Sequence, residues 1–106
     1  MEKYKQLIDK IDFYRHRDIF KRFTIEKEEY CFSILTGSHM ESAKLGTIEM
    51  AILKNNEFVF NEDTTDESII HYMSFEIFKK FVNELVNTKK ENLEKLFLKY
   101  KEEKNE

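Results

Sequence analysis

The chain has 106 residues, 41% of them hydrophobic, and a formal net charge of −3 at neutral pH. This length is typical of a single domain, residues 1–106, with one modest hydrophobic core. The lack of a long apolar run argues against a membrane span, the single cysteine against a disulfide framework, and the negative net charge against a general nucleic-acid binder.

Residues 2–14 are predicted to form a helix, because Tyr4, Leu7, Ile8 and Ile11 recur at three- and four-residue spacing. This stretch has no apolar signal region, so we expect a cytoplasmic protein, within a host cell. We expect no membrane partner.

A basic stretch, RHRDIFKR, follows the predicted helix at residues 15–22. It has four strong cations: Arg15, Arg17, Lys21 and Arg22. Such a patch can bind phosphate, and it supports an alternative hypothesis, a nucleic-acid-binding accessory protein. The basic, aromatic-interleaved sheet of an RNA-binding module is absent from the sequence, and a solvated surface is the simpler interpretation. Nucleic acid is therefore a less favoured partner than protein.

The middle of the chain is predicted to form an antiparallel sheet. Period-two alternation predicts a short strand within residues 19–26 and a second strand over residues 30–36, separated by a charged turn. A loop bracketed by Gly37 and Gly46 leads to the stretch GTIEMAILKNNEFVF at residues 46–60, which predicts a hairpin.

This hairpin is the centre of the predicted fold. Its two-residue turn, Asn55-Asn56, suits a type I′ conformation, because asparagine tolerates the positive φ that both central positions require. The turn sets the register of the two strands. Four cross-strand pairs follow from it: Lys54 with Glu57, Leu53 with Phe58, Ile52 with Val59, and Ala51 with Phe60.

Both faces of the hairpin are predicted to be apolar. One face has Ile48, Met50, Ile52 and Val59. The other face has Ala51, Leu53, Phe58 and Phe60. Because an antiparallel sheet usually has one solvated face, either helices cover both sides or one face binds a partner. A helix on each side is the simpler of these two interpretations.

Two C-terminal elements follow a polar loop at residues 61–68 and a short edge segment at 69–73. Ser74 is a good N-cap, with Glu76 in the first turn of a helix that has a wide apolar face. Residues 88–91 have the form of a capping box, which predicts a separate helix from 89 to about 103, with one continuous helix as the alternative. The tail near 102–106 should fray.

Together these elements predict an α+β fold. It comprises an N-terminal helix, an antiparallel meander of about four strands and one or two C-terminal helices.

The residue types used in metal sites and catalysis are present without the required spacing. The soft metal ligands share no CxxC or HxxxH motif: His16, Cys31, His39 and His71. The serines lack a nucleophile elbow. We therefore predict no metal or other cofactor and no enzymatic activity.

The polar loop is the first candidate for a binding element. It has four carboxylates within six residues: Glu62, Asp63, Asp66 and Glu67. The EF-hand spacing and its central glycine are missing, so a solvated acidic loop is the simpler interpretation. The functional interpretation is a surface that steers a basic protein partner, with Phe58 and Phe60 as apolar anchors.

Residues 30–85 resemble a pattern found in small uncharacterised proteins of phages and mobile elements. The pattern has a strand, a Gly-containing loop, a strand ending in an EMAIL-like segment at 49–53, an acidic loop, and a helix start at 72–76. The resemblance implies an accessory gene product, in the genre of anti-CRISPR inhibitors of host defence nucleases. It implies no catalytic residues, and the Lys-rich C-terminal helix departs from a DNA-mimic pattern.

The sequence thus favours a non-catalytic binding protein that occludes a host protein, such as a nuclease complex. A structural homo-oligomer, formed through the spare sheet face or the C-terminal helix, is one alternative. A nucleic-acid-binding accessory protein is the other, and a small enzyme ranks last.

Overall fold

The computed structural model describes residues 2–17, 19–37, 46–60 and 66–103. Within these residues the chain forms three α-helices and five strands. In chain order the elements are α1 (Lys5–Arg15), β1 (Lys21–Lys27), β2 (Tyr30–Thr36), β3 (Ile48–Lys54), β4 (Glu57–Phe58), β5 (Ile69–Met73), α2 (Phe75–Val86) and α3 (Leu93–Glu103). The predicted α+β class is confirmed, with an N-terminal helix, an antiparallel sheet and two C-terminal helices.

The hairpin turn forms as predicted. Asn55 and Asn56 have φ values of 53° and 67°, and the strands pair Leu53 with Phe58 and Lys54 with Glu57. The N–H of Val59 still donates to the carbonyl of Ile52 at 3.3 Å. The paired strand β4 nevertheless ends at Phe58, so the hairpin is shorter than predicted.

Two strands pair with the edge of β3 that faces away from β2, so the predicted simple meander of about four strands is incomplete. β4 pairs with the C-terminal end of β3, and β5 pairs with its N-terminal part. Ala51 is therefore opposite Ile69, and the predicted pair with Phe60 is wrong. The reason is Ser68: its hydroxyl accepts from the N–H of Phe60 at 2.7 Å and donates to the carbonyl of Phe60 at 2.9 Å, taking the place of a ladder partner.

All three helices pack on one face of the sheet. The buried side chains of α1, α2 and α3 form a single core with alternate residues of the strands. Phe81 of α2 is at the centre, with its ring 5.3 Å from that of Phe32 and 5.4 Å from that of Tyr100. The predicted arrangement of one helix on each side is wrong for the described residues, because every described helix uses the same sheet face.

The ends of the C-terminal helices explain why they are separate. Ser74 caps α2 as predicted, its hydroxyl accepting from the N–H of Ile77 at 3.1 Å. The predicted capping box at residues 88–91 does not form. Thr88 instead donates back to the carbonyl of Glu84 at 2.6 Å and closes α2. The chain then turns through a 3₁₀ segment, Lys90–Asn92, before α3 begins.

Candidate functional site

The sheet face opposite the helices has a shallow groove of about 240 Å³. Its position follows from the strand register, which aligns alternate residues of neighbouring strands in rows. One row is Thr24, Ser33, Ala51 and Ile69, and the next is Glu26, Cys31, Leu53 and Phe58. The β1 end of each row is therefore polar, and the end at β3, β4 and β5 is apolar.

The apolar half of the groove is only partly buried. Phe58 is 42% exposed, and Leu35, Leu53 and Ile69, which also line the groove, are half-buried. Within the part of the chain that the structure describes, no helix covers these side chains. A contiguous set of partly exposed apolar residues on a sheet is a feature of binding surfaces, whereas scattered exposed residues are not.

Charged groups flank this apolar half. Glu49 lies in the groove with its carboxylate 3.7 Å from the imidazole of His71, and Arg22 lies at the opposite end, on β1. The groove therefore has an apolar floor with ionisable groups at its margins, the arrangement found in protein-binding surfaces with a polar rim.

Cys31 is the only cysteine of the chain, and it lies beside Leu53 on the open face, which is the sheet face opposite the helices. Burial raises the pKa of this thiol, and the neighbouring carboxylate of Glu26 raises it further. The thiol is therefore protonated at neutral pH, unlike the low-pKa thiolate of a reactive cysteine. Cys31 therefore contributes a protonated thiol to this face.

The structure separates the two phenylalanines that are predicted as anchors. Phe58 points into the groove, but Phe60 packs against the core, its ring stacked on that of Phe97 with centroids 6.2 Å apart. The prediction that both share one sheet face is wrong, because the chain leaves the ladder after Phe58. Phe58 therefore remains available for contact, and Phe60 has a structural position.

The acidic loop lies only partly within the described residues. Glu62 and Asp63 lie outside them, the backbone of Asp66 begins a short 3₁₀ turn, and Glu67 is exposed. The two described ends of the loop are held together by the hydrogen bonds between Ser68 and Phe60. Ile69, the residue after Ser68, lines the groove, so the loop rejoins the sheet at the margin of the apolar floor.

The four predicted nucleic-acid-binding cations do not form one patch. The guanidinium of Arg15 donates to Asp12 at 2.7 Å and to the carbonyl of Gly46 at 2.6 Å, and it lies 4.4 Å from the centre of the Phe75 ring. Arg15 is thus engaged in holding the end of α1 against the fold.

The other three cations of this stretch divide between the two sheet faces, with Arg17 and Lys21 over the neighbouring rings of Phe13 and Tyr14 and Arg22 on the opposite face. Arg17 lies over the ring of Phe13 at 3.9 Å, and Lys21 lies 5.1 Å from the ring of Tyr14 on the helix side of the sheet. Arg22, the next residue of β1, is on the open face. Alternation along a strand separates Lys21 from Arg22, and it disperses the charge that a phosphate-binding patch would need.

Metal ligands are also dispersed. Among residues 2–17, 19–37, 46–60 and 66–103, no three His, Cys, Asp or Glu side chains come close enough to bind one ion. His39 lies outside these ranges. None of the described helices has the length and apolar character needed to cross a bilayer.

A cluster of ion pairs joins the β1–β2 turn to the C-terminal region. Glu29 pairs with Lys90 and, at 3.6 Å, with Lys54, and these cations lower the pKa of its carboxyl. Next to it, the hydroxyl of Tyr30 donates to Glu94, which raises the pKa of Tyr30 to about 12. These contacts hold the β1–β2 turn against α3 and the 3₁₀ segment before it. We therefore assign them to the stability of the fold and not to a functional site.

Comparison of the chain with protein-family models, with curated proteins and with solved structures finds no match. The function is therefore inferred from the surface itself.

Proposed function

We propose that this chain is a non-catalytic binding protein that contacts a protein partner through the groove on the open sheet face. The observation behind the proposal is the row that ends in Leu53 and Phe58, an apolar strip on a face that no described helix covers. Proteins expose such strips where a partner buries them.

Burial of this strip would supply a useful part of a binding energy. Removing a whole phenylalanine side chain from water is worth about 1.5–3 kcal/mol. Phe58 is 42% exposed, so its burial would contribute about 1 kcal/mol, and its half-buried neighbours would add to this. Phe58 has the properties of an interface anchor, because aromatic residues surrounded by apolar neighbours dominate binding energies.

The acidic loop is proposed to accelerate the encounter with a basic partner. Glu62, Asp63, Asp66 and Glu67 belong to a segment whose ends meet beside the groove. Charges at the rim of an interface mainly raise the association rate, and salt screens their effect. The resemblance to phage and mobile-element accessory proteins extends the proposal to occlusion of a host protein, for example a defence nuclease complex whose nucleic-acid channel is basic.

Capture of host proteins on immobilised wild-type and variant chains tests the groove. Phe58→Ser is expected to reduce recovery of a specific partner about fivefold or more, because about 1 kcal/mol of burial is lost. Leu98→Ser is the matched control: Leu98 on α3 is also 42% exposed but lies in the helical layer, and its variant should retain the partner. Equal recovery with both variants would contradict the proposal, as would recovery of nucleic acid alone.

The acidic loop is tested in the same assay by the double variant Asp63→Lys/Asp66→Lys. Its recovery should fall at low salt and approach that of the wild type at high salt, because only the screened, long-range attraction is lost. A loss that is independent of salt would show that these carboxylates make direct contacts instead of steering the partner.

A further inference from the structure

We propose that the free edge of β1 pairs with β1 of a second copy, in an antiparallel register centred on Thr24. β1 is the end strand of the sheet, seven residues long and hydrogen-bonded to β2 on one side. Its other edge meets no described strand. This inference concerns the edge of the sheet, which shares Arg22 with the margin of the groove, and it does not rest on the proposed function.

The register of the β1–β2 hairpin determines which backbone groups the free edge presents. The two-residue turn at Glu28-Glu29 makes Lys27 and Tyr30 the first hydrogen-bonded pair. Hydrogen-bonded and non-hydrogen-bonded pairs then alternate along the two strands. Arg22, Thr24 and Glu26 are in the non-hydrogen-bonded pairs, so their N–H and C=O groups point away from β2. All three side chains are exposed. The edge therefore offers three donor and acceptor pairs to another strand.

The side chains on this edge are complementary to themselves. With Thr24 opposite Thr24 of the second copy, Arg22 is opposite Glu26 of that copy, and Glu26 is opposite its Arg22. Both ion pairs form at once because the two-fold axis, perpendicular to the sheet, relates them. Residues directly opposite in an antiparallel pair are close enough for such contacts, and opposite charges there are stabilising.

Other registers are less favourable. A shift of two residues leaves one of the three outward-facing residues without an outward-facing counterpart. A shift of four residues puts Arg22 opposite Arg22, or Glu26 opposite Glu26, and like charges directly opposite are destabilising. The charges thus specify one register for the pair of strands.

The helix-covered side of this edge is also compatible with pairing. In the centred register Phe23 is opposite Ile25 of the second copy, which extends the apolar side of the sheet. Lys21 is opposite Lys27, but each ammonium group has a contact in its own chain. That of Lys21 lies 5.1 Å from the Tyr14 ring, and that of Lys27 donates to the carbonyls of Leu85 and Val86 at the end of α2.

Exposed apolar surface beside β1 also supports pairing with a second copy of the chain. Phe13, Ile19 and Phe20 are each more than half exposed, and Phe13 lines a groove of about 490 Å³ between α1 and β1 with Tyr14 and Phe23. A second copy on the β1 edge would bring another α1 to this side of the molecule. The resulting dimer would have one continuous sheet with both open faces on the same side.

Sedimentation equilibrium over a range of protein concentrations, at low salt, tests the proposal. The wild type is expected to form dimers. Arg22→Glu puts two carboxylates directly opposite each other at two symmetric positions, and it should raise the dimer dissociation constant about tenfold or more. Glu26→Arg should do the same, with two guanidinium groups in their place. The double variant Arg22→Glu/Glu26→Arg restores opposite charges at both positions, and its dissociation constant should return towards that of the wild type.

Thr24→Pro provides a second test that does not depend on charge. It removes an N–H that faces away from β2, so the internal ladder is retained while the central hydrogen bond to the second copy is lost. The variant should be a monomer with the circular dichroism spectrum of the wild type. A wild type that is monomeric at every concentration would overturn the proposal. So would dimers that none of the three single variants weakens, or a double variant no better than the single charge variants.

Discussion

Replacement of Phe81 by alanine is expected to lower the free energy of unfolding by about 3–5 kcal/mol. Phe81 is fully buried, and its ring packs edge-on against those of Phe32 and Tyr100. Truncation removes the burial of the ring and leaves a cavity between the sheet and both C-terminal helices. A domain of this size has a total stability of about 5–15 kcal/mol, so the loss is a large part of the whole.

Urea unfolding followed by circular dichroism measures this change. Phe58→Ala is the control, since it makes the same chemical change at a site that is 42% exposed, and it should cost only about 1–2 kcal/mol. Similar losses in the two variants would mean that the core is not centred on Phe81 as described.

Gly37→Ala is expected to destabilise the fold by about 3 kcal/mol or more, for a reason of backbone geometry. Gly37 has φ of +119°, a conformation that other residues rarely adopt. A Cβ there would lie 1.9 Å from the carbonyl oxygen of Ile19, well inside any real contact distance. Because that oxygen belongs to the backbone, the end of β2 and the segment before β1 would have to move apart.

Gly46→Ala is the control that separates the cost of a strained backbone from the cost of steric overlap at Gly37. Gly46 also has a positive φ, +91°, but the atoms nearest to a Cβ there belong to the side chains of His16 and Arg15, at 3.4 Å or more. This variant should therefore lose only about 1–3 kcal/mol, the cost of a strained backbone. Thermal or urea unfolding of the two variants measures the difference, and a smaller loss for Gly37→Ala than for Gly46→Ala would refute the close approach.

Much of the fold follows from local sequence signals. Asn55-Asn56 sets a turn and with it a register, and strict alternation defines β2 at Tyr30–Thr36, where the structure confirms it. Ser74 starts α2 because a hydroxyl at that position satisfies an N–H of the first turn. Each of these features depends on residues within a few positions of one another.

The features that the sequence does not reveal depend on distant contacts. The shortening of β4 results from the hydroxyl of Ser68, eight residues further along the chain than its partner Phe60. The pairing of β5 with β3 is of the same kind, because a short apolar segment gives no indication of which edge it joins. Thr88 fits the capping-box pattern, but its hydroxyl donates to the carbonyl of Glu84 in the last turn of α2.

The candidate site is predictable to a similar extent. Alternation places Phe58 beside Leu53 on a second apolar face, and the structure confirms that pairing. Leu35 and Ile69 complete the groove, and only the strand register shows that they do. The basic stretch at residues 15–22 looks continuous in sequence. It is divided in space because the alternation of β1 puts Arg22 on the open face, whereas Arg17 and Lys21 lie over the rings of Phe13 and Tyr14.

The most direct test of the open face as the binding surface is site-specific photo-crosslinking in cells that produce the protein. A benzophenone amino acid replaces Leu53 in the groove of one variant and Leu98 on α3 of another. The expected result is a covalent adduct with one cellular protein from position 53 and none from position 98. Adducts from position 98 alone, or equally from both positions, would contradict it.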